Sequence, residues 1–132
     1  MAVVMSGASA WRKTQGHAQC RCNDVTDAEI VRNAATQLKD VAIDLLINSD
    51  GIAGASGQKT GTHVFNVNTM GPLRVVESFS DLIARSERRM VITITSGMGS
   101  LTDNMSGGSI ACRSSKAAVN MVMRSAAIDR AK

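Results

Sequence analysis

Cys112 and Lys116 stand four residues apart in a helix-like run. That run follows an apolar, strand-like stretch, Val91–Thr95, through a loop rich in Ser and Gly. Residues at this spacing face the same way on a helix, so an ammonium would lie beside a thiol. An acid group beside a cation is a proton-transfer pair. The carboxyl end of a strand is also where α/β proteins place their chemistry. Thiol nucleophile chemistry would need a partner base. The chain has two histidines, His17 and His63, and spacing ties neither to Cys112. His17 with Cys20 and Cys22 raises a metal site. The C-x-C spacing is shorter than the usual ligand pair and no second Cys/His pair follows, so no metal is expected.

The elements that must position these residues are legible in the pattern. AVVM near the amino terminus reads as a short strand, and Ala18–Cys22 as another. Thr26 with Glu29 three residues on reads as a capping box opening a helix whose apolar side holds Ile30, Val31, Ala34, Ala35 and Leu38. Ile43–Asn48 is an almost unbroken apolar run, as in a strand covered on both faces. Residues 53–62 read as a polar surface loop. A long helix is expected over Phe65–Arg89, locally offset where Gly71-Pro72 interrupts it. Asn68, on the core side of that helix, needs a buried partner. A strand over Met90–Thr95 and a helix over Arg113–Arg130 complete the order. Strands alternating with helices favour a parallel sheet with right-handed crossovers. The fold class is therefore α/β, with a parallel sheet flanked by helices.

At 132 residues the chain has the length of one domain. Its aromatic content of 2 % leaves Ile, Val, Leu, Met and Ala to build the core. The net charge of +4 is carried by scattered rather than striped residues without aromatic platforms, so nucleic acid is not an expected partner. No stretch approaches the length of a membrane span and no secretory leader is evident, so a membrane is not expected either and the cytoplasm is the expected compartment. An odd number of cysteines, three, fits a reducing environment.

Several phrases in order resemble the short-chain dehydrogenase/reductase family: Asp24-Val25-Thr26-Asp27, Asn48 with Gly51, Asn68-Thr69-Met70-Gly71, Ser96, and Ser115-Lys116. The glycine-rich loop before Cys112 and the phrase RSSKAAVN look most like its carbonyl-reductase-like or C-factor-like branch. The resemblance spans Asp24 to Lys132. It implies a partial Rossmann-like three-layer fold with a parallel sheet of three or four strands flanked by helices, and makes 24–132 the family-like core of a single, incomplete domain and 1–23 a divergent amino-terminal remnant. There Gly7, Ala8 and Ser9 match the family's phosphate loop, while Trp11 and Lys13 replace its later glycines.

The resemblance implies roles. In the family a tyrosine moves the hydroxyl proton, a lysine four residues on supports it and binds ribose hydroxyls, a serine binds the substrate oxygen, and an asparagine holds a relay water. Lys116, Ser96 (with Ser100 as fallback) and Asn68 take the last three roles. Cys112 occupies the tyrosine position, and the chain contains no tyrosine. Asp24, Val25, Asn48, Gly51 and Lys116 become the cofactor-binding set, for NAD or NADP bound weakly or not at all. Asp50 stands where the family has alanine, and a carboxylate there disfavours a phosphate-bearing ligand.

A cysteine is shorter than a tyrosine by a ring, too short to reach a substrate carbonyl. The implied function is an oxidoreductase-family chain, inactive or strongly impaired. Its relatives reduce carbonyls or oxidise alcohols with NAD(P), so its substrate if active is a small carbonyl or alcohol. A non-catalytic interaction or signalling domain and a non-functional truncated product are the alternatives. The two long helices, the last of which carries a small-residue face, offer a homo-oligomer surface.

Overall fold

The computed structural model describes residues 1–5, 12–14, 17–19, 24–53 and 58–131. Along the chain these form β1 (Ala2–Met5), β2 (Arg12–Thr14), β3 (His17–Gln19), α1 (Ala28–Gln37), β4 (Leu45–Asn48), α2 (Gln58–Phe65), a π-helical turn (Asn66–Met70), α3 (Gly71–Ala84), β5 (Met90–Thr93), a 3-10 turn (Gly97–Gly99) and α4 (Ile110–Asp129). Gly7, Ala8, Ser9, Trp11, Cys20 and Cys22 lie outside the described residues. Two compact units emerge, Met1–Asp50 with Arg74–Ile94, and Gly51–Leu73 with Thr95–Lys132.

The first unit is built on a parallel sheet in the order β1-β4-β5, flanked by helices in the Rossmann manner. Leu46 of β4 pairs with Val3 on one side and Val91 on the other. The core is aliphatic apart from Phe79. Val3, Val31, Ile43, Leu46, Val75 and Phe79 are fully buried. β2 and β3 form a separate antiparallel hairpin. The sheet has three strands, the lower of the two expected numbers.

Helix starts differ from the pattern-based reading for physical reasons. Asp27, not Thr26, caps α1. Its carboxylate accepts from Glu29 N at 2.7 Å and Ile30 N at 3.2 Å, and a negative charge suits a helix amino terminus better than a hydroxyl does. Thr26 is already engaged, since Asp24 Oδ1 accepts its N–H at 2.8 Å and its hydroxyl at 2.6 Å. The expected long helix begins at Gln58, inside what reads as a loop, and α3 ends at Ala84. The offset foreseen at Gly71-Pro72 falls just before it. Pro72 has no N–H to give, and the chain widens into the π turn, with Gly71 N–H donating five residues back to Asn66 C=O.

In the second unit α2 packs on α4, and a methyl added at Gly61 would stand 3.9 Å from Ala111 Cβ. The entry to α4 runs through three left-handed residues, Gly107 (φ 62°), Gly108 (φ 68°) and Ser109 (φ 44°). Two glycines take that conformation freely, and only Ser109 carries the strain. Among the described residues no helix is long and apolar enough to cross a membrane.

Candidate functional site

Four of the predicted residues, Asn68, Ser96, Cys112 and Lys116, belong with Gly51 to the second unit. α4 carries Cys112, Ser115 and Lys116. Cys112 and Ser115 are buried and Lys116 is half-buried. Asn68 is 1 % exposed and has its partners. Its Oδ1 accepts Ile52 N–H at 2.8 Å, and its Nδ2 donates to Ile52 C=O at 3.0 Å and to Ser115 Oγ at 3.0 Å. Ser115 Oγ donates in turn to Cys112 C=O at 2.9 Å, and Thr69 Oγ1 donates to Ser115 C=O at 3.0 Å. The π turn and α4 are thus joined by a closed polar network. Both amide hydrogens of Asn68 are committed within it.

Gly51 completes this cluster. A methyl group there would stand 3.0 Å from Lys116 Nζ and 3.6 Å from Asn68 Oδ1. The ammonium therefore lies against the Gly51 turn, beside the asparagine. On its other side the backbone of Lys116 is held by the loop that follows Ser96. A Cβ at Gly99 would meet the Lys116 carbonyl carbon at 2.9 Å and Ala117 N at 3.0 Å. Only a glycine permits that approach.

Ser96 and Cys112 connect to the cluster through the same loop. Ser96 is exposed, and its Oγ accepts Met98 N–H at 3.2 Å, capping the 3-10 turn. Met98 Sδ lies 4.0 Å from Cys112 Sγ. At that distance the thiol is in packing contact with the thioether. Ser100 Oγ accepts Asp103 N–H at 3.2 Å, which leaves it a loop-holding role.

The remaining predicted residues lie in the first unit. Asp24 holds the turn before α1 through Thr26. Val25 is buried, and its carbonyl accepts Arg74 Nη1 at 3.0 Å. Asn48 is 3 % exposed; its Nδ2 donates to Thr93 Oγ1 at 3.2 Å, while its buried Oδ1 has no hydrogen-bond partner among the described residues. Such an acceptor is uncommon inside a protein.

The sequence reading missed the part Ser115 and Thr69 play in the network and the contact at Gly99. A small hydroxyl residue between two same-face positions of a helix was the available sign for Ser115. Nothing in the sequence pairs Gly99 with Lys116.

A parallel sheet flanked by helices in the Rossmann manner makes this an α/β protein of the doubly wound class. The family model described as short chain dehydrogenase matches residues 4–132, and the chain belongs to that family. It is 38 % identical over 105 residues to the C-signal protein of Myxococcus xanthus, covering 75 % of this chain and 63 % of that one. Among solved structures, a short-chain dehydrogenase/reductase from Burkholderia multivorans with bound NADP is 28 % identical with a TM-score of 0.74, covering 86 % of this chain and 51 % of that one. A carbonyl reductase from chicken fatty liver with bound NADPH is 27 % identical with a TM-score of 0.74, covering 84 % of this chain and 50 % of that one. The chain therefore spans roughly half to two-thirds of these relatives.

Proposed function

We propose that this chain is an NAD(P)-binding oxidoreductase-family protein that keeps the lysine–asparagine part of the catalytic machinery and lacks an effective proton donor. The carrying observation is that a methyl added at Gly51 would stand 3.0 Å from Lys116 Nζ and 3.6 Å from Asn68 Oδ1, which brings both side chains to one glycine turn. These residues fit the cofactor that two of the related structures hold. The missing side chain at Gly51 leaves room for the Lys116 ammonium, which a methyl there would meet at 3.0 Å, and Lys116 is the ribose-hydroxyl donor by resemblance to the family. Asn48 joins the cofactor-binding set by resemblance to the family. Asp24 and Val25 complete the adenine-side set by resemblance to the family.

When bound, the nicotinamide supplies the hydride. The chain's own residues do the rest. Lys116 binds and orients the ribose, and Asn68 holds the π turn and α4 in register. The exposed Ser96 hydroxyl is the donor for a substrate carbonyl oxygen. Cys112 Sγ holds the proton at the position where the family has a phenol. It falls short because general acid work needs contact at about 2.6–3.2 Å, and this thiol is buried against Met98. Binding of NADPH is weak, and carbonyl reduction is depressed by about 10²–10⁴-fold, the usual contribution of a positioned proton donor.

Cys112→Tyr tests this. Carbonyl reduction with NADPH should rise by about that factor. No gain in a variant that keeps its circular dichroism and its NADPH binding would refute the reading. A second reading, a non-catalytic interaction or signalling domain, draws on the similarity to the C-signal protein. It predicts no saturable NADPH binding and no gain from the tyrosine.

A further inference from the structure

We infer that Ser115 is a positioning residue: its buried hydroxyl ties α4 to the π turn and so holds the Lys116 ammonium at the Gly51 turn. The inference rests on the reading of Lys116 as the ribose-binding lysine. Two adjacent serines of α4 show what sets Ser115 apart. Both return their hydroxyl hydrogen to the helix, Ser114 Oγ to Ile110 C=O at 2.6 Å and Ser115 Oγ to Cys112 C=O at 2.9 Å. Such back-bonding is the ordinary habit of a serine inside a helix. Ser114 is exposed, so water reaches its oxygen. Ser115 is fully buried, and its oxygen accepts Asn68 Nδ2 at 3.0 Å instead.

Ser115 takes a second bond from the same turn, since its carbonyl accepts Thr69 Oγ1 at 3.0 Å. Asn68 and Thr69 are consecutive, and in a regular α-helix consecutive side chains diverge by about 100°. Within the wider π turn both reach one residue of α4.

The amide of Asn68 carries the link onward to Ile52, whose N–H and C=O it bonds at 2.8 and 3.0 Å. Ile52 follows Gly51, and Lys116 follows Ser115. The bonds from Ser115 through Asn68 to Ile52 therefore set how far the Lys116 backbone stands from the turn that its ammonium meets. On the loop side Gly99 stops the same backbone, where an added Cβ would meet the Lys116 carbonyl carbon at 2.9 Å. The stem of a lysine is flexible, so its ammonium keeps one place only while the backbone beneath it does. A misplacement of about 1 Å in a binding group costs as much as about 10²-fold.

NADPH titration and acylation of Lys116 by acetic anhydride, read by mass spectrometry, test this on the full chain. Ser115→Ala should raise the dissociation constant about tenfold or more and speed acylation of Lys116 severalfold. Ser114→Ala removes the same back-bond from the neighbouring residue and should change neither. Val119→Ala truncates a buried side chain of the same helix, lowers the melting temperature, and should also change neither. Thr69→Val should act in the direction of Ser115→Ala, and Thr69→Ser should restore both values. That pair decides the matter if Ser115→Ala fails to fold. Acylation needs no cofactor: if the unmodified chain shows no saturable NADPH binding, the oxidoreductase reading fails and the acylation rates alone decide the positioning. Equal acylation rates in all variants, or equal affinities in a chain that binds NADPH, would overturn the proposal. So would Val119→Ala matching Ser115→Ala in either readout.

Discussion

The two units are held together by different means. The first buries Val3, Met5, Ile43, Leu46, Val75 and Phe79, large apolar side chains around a sheet. The second buries Val64, Val67, Val119 and Ala126 with Asn68, Thr69, Ser115 and Cys112, so polar and small groups supply much of its interior. The first derives its stability from area removed from water, which tolerates imprecision. The second depends on hydrogen bonds that are all made, which fixes geometry more tightly. The chemistry-bearing residues Asn68, Ser96, Cys112 and Lys116 lie in the unit whose interior is specified by bonds. The sheet unit supplies apolar bulk, together with one buried asparagine that is only half satisfied among the described residues.

The largest expected effect comes from removing the apolar centre. Phe79→Ala should cost about 3–5 kcal/mol, read as a lowered denaturation midpoint. A loss below about 1 kcal/mol would mean that Phe79 is not the core residue its burial implies.

The two asparagines sharpen the contrast. Asn68→Val leaves Ile52 N–H and C=O without their partner and takes away the donor to Ser115 Oγ, and should cost about 2 kcal/mol. Asn48→Val removes one bond to Thr93 along with an oxygen that has no partner among the described residues, and should change stability by less than about 1 kcal/mol. Chemical denaturation of both variants checks the order, and equal losses would remove the distinction between the units.

The smallest effect is a dependence on pH. Asp44 accepts from the amino-terminal ammonium and from Ser86 Oγ, and these hold its carboxyl below the ordinary value of 3.8. A folded value below the unfolded one stabilises above pH 3.8 and is lost as pH falls through the folded value. The melting temperature of the unmodified chain should therefore fall more steeply than that of Asp44→Asn in this acid window. Parallel curves would show that the ion pair contributes nothing.

Much of the fold was legible because its signals are local. The apolar run Ile43–Asn48 and the alternation of strands and helices required only neighbouring residues. The start of α2 was not, because Gln58–Thr62 is polar and glycine-bearing and gains its helical state beside α4. Thr26 was misread as the cap because a hydroxyl and a carboxylate compete there, and sequence alone does not show that Asp24 had already taken the hydroxyl. Lys116 and Asn68 were found through ordered phrases. Their meeting at Gly51 and the clamp at Gly99 are tertiary contacts that no spacing encodes.

The most direct test is a fluorescence titration with NADPH of the unmodified chain and of Lys116→Ala. A ligand that sits at the Gly51 turn beside this ammonium should give saturable binding to the unmodified chain. Its dissociation constant should lie at or below about 1 mM, the upper end of ordinary enzyme–substrate affinity, and the alanine variant should bind at least tenfold more weakly. Absence of saturation, or equal affinity in the two proteins, would contradict the account.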